Sequence, residues 1–450
     1  MKSDRVKVLH PLLGLPMLYY TVDLSLNHIK AEKTIVVVGH QADQIEERFK
    51  DFKIEYALQK EQLGTAHAVL QTLPLLHEFN GTVLILCGDV PLVKPKTLRS
   101  FIDTFWSNDS TLSVLTAVVK APYGYGRILR SEEGWLEKIV EEKDASEEER
   151  LIREINTGIY CVKASFLKEG LKEIGKENTQ GEYYLTDLVE VARKRDLRCS
   201  AHMVADSAEV MGINTRVDLA VAIEVLRQEK VKELMLSGVT ILDPKTTYVD
   251  KTVEIGMDTT LYPNCTIEGK TQIGERCLIE PNVKISDSVI GNDVTIRTNS
   301  VITESKIDDH ASIGPFAHLR PLSEIKTKAK IGNFVEVKKS TIGKGSKANH
   351  LAYIGDSLVG EEVNIGAGTI TCNYDGFKKH QTIIGDRVFV GSNVELVAPV
   401  KVGSHSSIGA GTTVTKDVPE GALAISRVKQ KNIRGWNKRM ELQHKKSKPG

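Results

Sequence analysis

An aliphatic-glycine dipeptide recurs through the second half of the chain at intervals close to multiples of about six. It stands at Ile255-Gly256, Ile273-Gly274, Ile290-Gly291, Ile313-Gly314, Ile331-Gly332, Ile342-Gly343, Ile354-Gly355, Val359-Gly360, Ile365-Gly366, Ile384-Gly385, Val390-Gly391, Val402-Gly403 and Ile408-Gly409. This period is too long for hairpin alternation and incommensurate with the ~3.6 of a helix. It marks a parallel β-helix in which each hexad forms one short side of a coil. The aliphatic residue points inward and stacks on its counterpart in the next coil, and glycine permits the corner. The period breaks around residues 321–330 and 375–381. Insertions in a solenoid form loops, often on the binding face, so loops are expected at both places.

The first half has a different texture. Residues 33–39, 82–87 and 111–119 read as buried strands, with helical patterns between them at 41–50 and 64–73. Strand–helix alternation predicts a mostly parallel sheet flanked by helices, with ligands bound at the C-terminal ends of its strands. The apolar spacing of Leu219, Ile223, Leu226, Val231 and Leu234 predicts a helix over 217–236, stopped at Gly238.

A chain of 450 residues exceeds one ordinary core. Its formal charge of +1 offers no global field toward nucleic acid or a membrane. Cys87, Cys161, Cys199, Cys265, Cys277 and Cys372 form no C-x-x-C pair, which suits free thiols in the reducing cytoplasm. No apolar stretch reaches the ~18 residues of a membrane helix. The apolar segment 11–22 is interrupted by Pro11, Gly14 and Pro16, which argues against a signal sequence. The tail 427–450 carries nine Lys or Arg against Glu441 alone. It reads either as a solvated tail or as an arm toward an anionic cofactor or a neighbouring subunit.

Specific motifs then narrow the choice. They include Gln62-Leu-Gly-Thr-Ala-His67, Cys87-Gly-Asp-Val-Pro-Leu92, Gly124-Tyr-Gly-Arg-Ile128, Glu154-Ile-Asn-Thr-Gly158, Gly181-Glu-Tyr-Tyr-Leu-Thr-Asp187, Gly332-Asn-Phe-Val-Glu336, Gly343-Lys-Gly-Ser-Lys347 and Asn364-Ile-Gly-Ala-Gly-Thr-Ile-Thr-Cys-Asn-Tyr-Asp-Gly376. In the same order along nearly the whole chain, they resemble the bifunctional N-acetylglucosamine-1-phosphate uridyltransferase/glucosamine-1-phosphate N-acetyltransferase family. The resemblance implies an α/β plus all-β chain: a Rossmann-like nucleotidyltransferase (GT-A-like) domain over 1–214, a linker helix over 215–244, a left-handed parallel β-helix over 245–426, and the tail 427–450. It also implies a homotrimer with acetyl-transfer sites shared between subunits.

For acetyl transfer from acetyl-CoA to glucosamine-1-phosphate, the resemblance implies His350 as base and Glu336 as the orienter of its ring. An attacking amine must lose a proton, and imidazole suits that task near neutral pH. Arg320, Lys338, Tyr353 and Asn364 resemble the sugar-phosphate contacts; two fixed cations suit a phosphate dianion. Ala367, Asn373, Tyr374, Ser392, Ala410 and Arg427 resemble the acetyl-CoA contacts. His318 stands where the family usually carries Arg, with Arg320 retained.

For uridyl transfer from UTP to N-acetylglucosamine-1-phosphate, the resemblance implies Mg2+ held by Asp89 and Asn214. It places Lys7, Gln59, Gly64, Thr65, Gly126, Glu141, Asn156 and Asn214 around UDP-N-acetylglucosamine. The family opens on a strand and a loop of the type Leu-Ala-Ala-Gly-x-Gly-Thr-Arg-Met, and Met1 aligns with that final methionine. Loss of a central strand is expected to open the sheet, leave backbone groups unpaired and weaken uridyl transfer. Two other functions fit parts of the pattern. One is a monofunctional acetyltransferase with a remnant first domain. The other is a nucleotidyltransferase for another sugar, with a regulatory β-helix.

Overall fold

The computed structural model describes residues 1–446, so the last four residues of the basic tail lie outside the described residues. The chain divides into two compact units, Met1–Arg227 and Gln228 onward. The helix Arg216–Leu236 runs through that division. Its start is capped by the Asp218 carboxylate, which accepts from the Asn214 and Thr215 N–H groups at 3.0 and 2.7 Å. Its first turns bury Leu219, Ala222 and Leu226 against Leu12, Met17 and Ile213. Its last turns add Val231 and Leu234 to the core of the second unit.

The first unit holds a six-stranded sheet. The strand Leu112–Val118 lies at its centre, parallel to Cys199–Met203 and antiparallel to the long strand Glu154–Lys163. Leu112, Val114 and Leu115 are fully buried there. Thr82–Ile85 pairs antiparallel with the other edge of Glu154–Lys163. Ile35–Val38 is not part of this sheet; it pairs only with Glu55–Leu58, as a separate two-stranded piece. Both strands are all aliphatic apart from Thr82, yet most of their residues are half-buried, where the sequence pattern predicts full burial. The physical reason is an open edge on each. A cleft of about 470 Å³ lies between them, lined by Val8, Leu18, Val36, Leu84, Leu86 and Ile102 among others.

The second unit is a parallel β-helix. Its strands form three all-parallel sheets of 11, 10 and 9 strands, each strand pairing with its counterpart one coil on. Register stacks Ile267, Ile285, Ile302, Leu319, Val337 and Ile354 in one inward column, and all are at most 1% exposed. Burying each such side chain contributes about 1.5–3 kcal/mol.

Two sequence expectations need correction. The six-stranded sheet of the first unit is not mostly parallel: among the described residues Leu112–Val118 and Cys199–Met203 pair in parallel, while its other pairings are antiparallel. Residues 321–330 form no loop: Ser323–Ile325 is a regular strand between Ser305–Ile307 and Thr341–Ile342. The dipeptide vanishes there because Lys326 follows the buried Ile325 where other coils have glycine. The break at 375–381 is a real excursion, closed by a bridge between Tyr374 and Lys379. Among the described residues, no helix is long and apolar enough to cross a membrane.

Candidate functional sites

Parallel register carries the polar residues of the β-helix into columns. On one face His318, Glu336, Tyr353 and Ile370 succeed one another. Arg320 donates to Glu336 at 2.8 Å, both side chains partly exposed. Glu336 raises the already high pKa of that guanidinium, so the cation is permanent. One coil on, Asn373 donates to the Asp356 carboxylate at 2.6 Å and reaches the Tyr353 hydroxyl at 3.5 Å. Gly355 makes room for this cluster: a Cβ there would lie 2.5 Å from the Tyr353 hydroxyl. Lys379, from the loop, stands beside Lys338, and that neighbouring ammonium pushes the Lys379 amine below the usual lysine range. Arg320, Lys338 and Lys379 thus bring cations to this face, two of them in mutual repulsion. An anion would relieve that repulsion.

His350 ends the strand Lys347–His350, whose register partner to its last residue is Asn333. The His350 ring Nδ1 lies 2.7 Å from Asn333 Oδ1, seventeen residues earlier. An amide oxygen can only accept, so this contact calls for Nδ1–H and leaves the Nε2 lone pair free. Glu336, expected to orient the ring, is instead engaged by Arg320. The reason is register: Asn333 is opposite His350, while Glu336 is opposite Tyr353 on the next sheet. Among the described residues, no hydrogen bond within the chain joins His350 to the cationic face.

Ala367, Ser392 and Ala410 follow glycine at one corner of successive coils. Asn393 N–H donates to the Ala367 carbonyl, and Gly411 N–H to that of Ser392, both at 2.8 Å. Ser392 and Ala410 are exposed, and Arg427 donates to the Ala410 carbonyl at 2.8 Å. Asn364 is opposite Lys347, one coil from the His350 strand. Tyr374 is exposed in the loop and donates to the Gly376 carbonyl at 2.6 Å. Asp375 folds that loop. The Lys378 N–H, His380 and the Phe377 N–H hold its carboxyl down at about 2.

In the first unit, Lys7 Nζ sits 2.6 Å from both Asp89 Oδ2 and Asn214 Oδ1. Asp89 follows the strand Thr82–Ile85, and its carbonyl accepts from the Ile213 N–H at 2.9 Å, tying the two segments together. Two oxygen donors therefore converge on one cation. Hard oxygens with this convergence suit Mg2+, which takes one or two protein groups and completes its shell with phosphate and water. Among the described residues, no group of three or more His, Cys, Asp or Glu could hold a metal, so an all-protein cage is not what this site offers. Cys87 nearby is inert, its thiol pushed up to about 12 by burial and by Asp89.

Gln59 donates to the Gly64 carbonyl at 3.2 Å and contacts His67 at 3.1 Å. Gly64 has φ +114°, and a Cβ would strike the Tyr183 carbonyl at 2.5 Å. Thr65 accepts from the Leu185 N–H at 3.1 Å. Asn156 donates its N–H to the Gly126 carbonyl at 2.9 Å, and Gly126 lies against Glu141 and Asn156. Burial raises the Glu141 carboxyl, partly offset by the Thr186 hydroxyl bonded to it.

The structure thus gathers the expected residues into local groups. It adds Asn333, Asp356 and Lys379, which sequence reasoning missed. Asn333 had one signal available: it occupies the position of His350 one coil earlier.

Comparison with known proteins is consistent with this arrangement. A family described as Nucleotidyl transferase matches residues 3–208. Bacterial transferase hexapeptide (six repeats) matches 252–287 and 270–304, and GMPPB C-terminal domain matches 302–416. Bifunctional protein GlmU of Geotalea uraniireducens (strain Rf4) is 52% identical over 437 residues, 97% of this chain and 95% of that protein. Those of Pelobacter propionicus (strain DSM 2379 / NBRC 103807 / OttBd1) and Geobacillus sp. (strain WCH70) are 52% and 50% identical over 442 residues, each covering 98% of this chain and 96% of the relative.

Proposed function

Because the chain belongs to the GlmU family of bifunctional acetyltransferase/uridyltransferases, we propose how its own residues divide the two reactions. On the β-helix, His350 Nε2 takes a proton from the amine of glucosamine-1-phosphate as that nitrogen attacks the thioester carbon of acetyl-CoA. The N–C bond forms, the C–S bond breaks, and coenzyme A leaves as the thiol or thiolate. Arg320, Lys338 and Lys379 clamp the sugar phosphate. Tyr353 and Asn364 face the sugar, and Asn373 and Tyr374 the reacting groups. The extended arm of acetyl-CoA runs along the column Ala367, Ser392 and Ala410 toward Arg427. The observation that carries this reading is the 2.7 Å contact that leaves His350 Nε2 free as a base.

The assembly is a homotrimer in this reading, with the site completed by a neighbouring subunit. Phe316, Phe334 and Leu351 support it. They stand at one corner of successive coils, with φ of +55°, +56° and +46°, and remain 46, 57 and 60% exposed. The two phenyl rings stack at 5.2 Å. An exposed apolar column next to His350 suits a symmetric contact with another copy.

In the first unit, the phosphate of N-acetylglucosamine-1-phosphate attacks the α-phosphate of UTP, and pyrophosphate leaves. Lys7 neutralises phosphate charge, while Asp89 and Asn214 would hold Mg2+, which supplies charge neutralisation. Gln59, Gly64 and Thr65 contact uracil; Gly126, Glu141 and Asn156 contact the acetylated sugar. The setting is cytoplasmic, in keeping with six free cysteines. Two half-reactions test the division of labour. Coenzyme A release with glucosamine-1-phosphate and pyrophosphate release with UTP should each occur, and His350→Ala should remove only the first. Full acetyl transfer by that variant would sink the proposal.

A further inference from the structure

We propose that Asp356 is a positioning residue for acetyl transfer: its carboxylate fixes the amide of Asn373 so that Asn373 Oδ1 meets the amine of glucosamine-1-phosphate as a hydrogen-bond acceptor. The inference rests on the reading of Asn373 as facing the reacting groups.

The backbone holds both residues. Asp356 N–H donates to the Lys338 carbonyl at 3.0 Å, and the Asp356 carbonyl accepts from the Thr382 N–H at 3.2 Å. Asn373 N–H donates to the Thr371 carbonyl at 2.9 Å, and the Asn373 carbonyl accepts from the His380 N–H at 2.8 Å. The two residues are 8 and 7% exposed. Asp356 Oδ2 accepts from Asn373 Nδ2 at 2.6 Å, and Asp356 Oδ1 lies 3.6 Å from Lys339 Nζ. A carboxylate can only accept, so it dictates which end of the amide turns toward it. Asn373 Nδ2 also lies 3.5 Å from the Tyr353 hydroxyl. Among the described residues, Asn373 Oδ1 has no hydrogen-bond partner, and it is not one of the buried unpaired atoms. It is the end of this amide left open.

An open acceptor narrows the partner. It cannot stabilise the oxyanion that forms at the thioester carbon, which needs donors. It can take an N–H of the attacking amine. One amine hydrogen passes to His350 as the N–C bond forms and the C–S bond breaks; the other stays on nitrogen and is held by Asn373 Oδ1. With both hydrogens directed, the nitrogen lone pair is left for the thioester carbon. The nitrogen gains positive charge as it attacks, so this hydrogen bond strengthens in the transition state and supports kcat. A sugar hydroxyl in the same place would keep one bond throughout and support KM alone.

The test exchanges the pair in the full chain. Coenzyme A release gives kcat and KM for glucosamine-1-phosphate at about pH 8, where two facing carboxylates share no proton, and Tm is measured beside them. Asn373→Asp sets two carboxylates against each other and should lower kcat at least about 100-fold. Adding Asp356→Asn rebuilds the pair with donor and acceptor exchanged. The amide at position 356 then donates, and the second carboxylate oxygen at position 373 remains an acceptor toward the amine. In this double variant kcat should return to within about tenfold of the parent, with KM nearly unchanged. Tm restored without kcat would make the pair merely structural and overturns the inference. So does a raised KM with kcat kept, which would identify a sugar hydroxyl as the partner. Asp356→Ala, which frees the amide to turn, should lower kcat several-fold; an unchanged kcat overturns the inference even where the exchanged pair does not fold. Asn373→Ala separates this inference from the reading beneath it. Undiminished coenzyme A release in that variant removes Asn373 from the reacting groups and takes the inference with it. A loss there, with stability but not kcat rescued in the exchanged pair, counts against the Asp356 assignment alone.

Discussion

Replacing Asn333 separates two accounts of how His350, the proposed acetyl-transfer base, is prepared. The amide oxygen accepts from His350 Nδ1 at 2.7 Å. A net hydrogen bond of this kind is worth about 0.5–1.5 kcal/mol, so Asn333→Ala should lower kcat/KM for acetyl transfer roughly 2- to 12-fold. That is far below the roughly 10²- to 10⁴-fold expected from loss of the base itself. Asn333→Asp is more discriminating. A carboxylate against the ring stabilises its protonated form, and at water-like screening a charge at ~4 Å contributes about 1 kcal/mol. The acid limb of the pH profile of kcat/KM should therefore move up by just under one pH unit, with the high-pH plateau nearly kept. Glu336→Gln should leave that limb in place and raise KM for the sugar phosphate, because Glu336 engages Arg320. Coenzyme A release measured from pH 5 to 9 reads all three variants. An unmoved limb in Asn333→Asp, with a moved limb in Glu336→Gln, would refute the assignment.

Further outcomes follow from the same geometry. Asp89→Asn should cut pyrophosphate release at least about 100-fold and raise the magnesium concentration needed, leaving coenzyme A release intact; equal loss of both activities would mean a folding defect instead. Gly355→Ala places a Cβ 2.5 Å from the Tyr353 hydroxyl, so KM for glucosamine-1-phosphate should rise several-fold with little change in uridyl transfer. Asp187 is raised to about 6, first by burial and then by Glu190. Its native carboxyl binds more protons than the unfolded one between about pH 4 and 6, so this group makes stability fall as pH rises through that window. Asp187→Asn should remove that slope and raise Tm above pH 6; an unchanged Tm–pH curve would show that the carboxyl is not perturbed.

The β-helix was legible because its repeat is written in the chemistry of every coil. An inward aliphatic residue and a small corner residue recur whatever the coil does. The misreading of residues 321–330 shows the limit. Lys326 takes the glycine place without disturbing the inward Ile325, so the dipeptide fails while the coil continues. His350, Arg320 and Lys338, proposed here for acetyl transfer, were singled out through motif resemblance. Asn333 and Lys379 were not, since each matters only through a neighbour one coil or one loop away.

By itself the sequence determined the solenoid, the α/β character of the first unit and the chemical types at both candidate sites. Those depend on local composition and short-range periodicity, which linear order contains. Only tertiary structure decided that Asn333 rather than Glu336 meets the His350 ring, because pairing register is a relation between coils. It also decided where the sheet expected to open does so, beside Ile35–Val38 and Thr82–Ile85. A strand's missing partner is a property of the space around it, and no residue within the strand records that space.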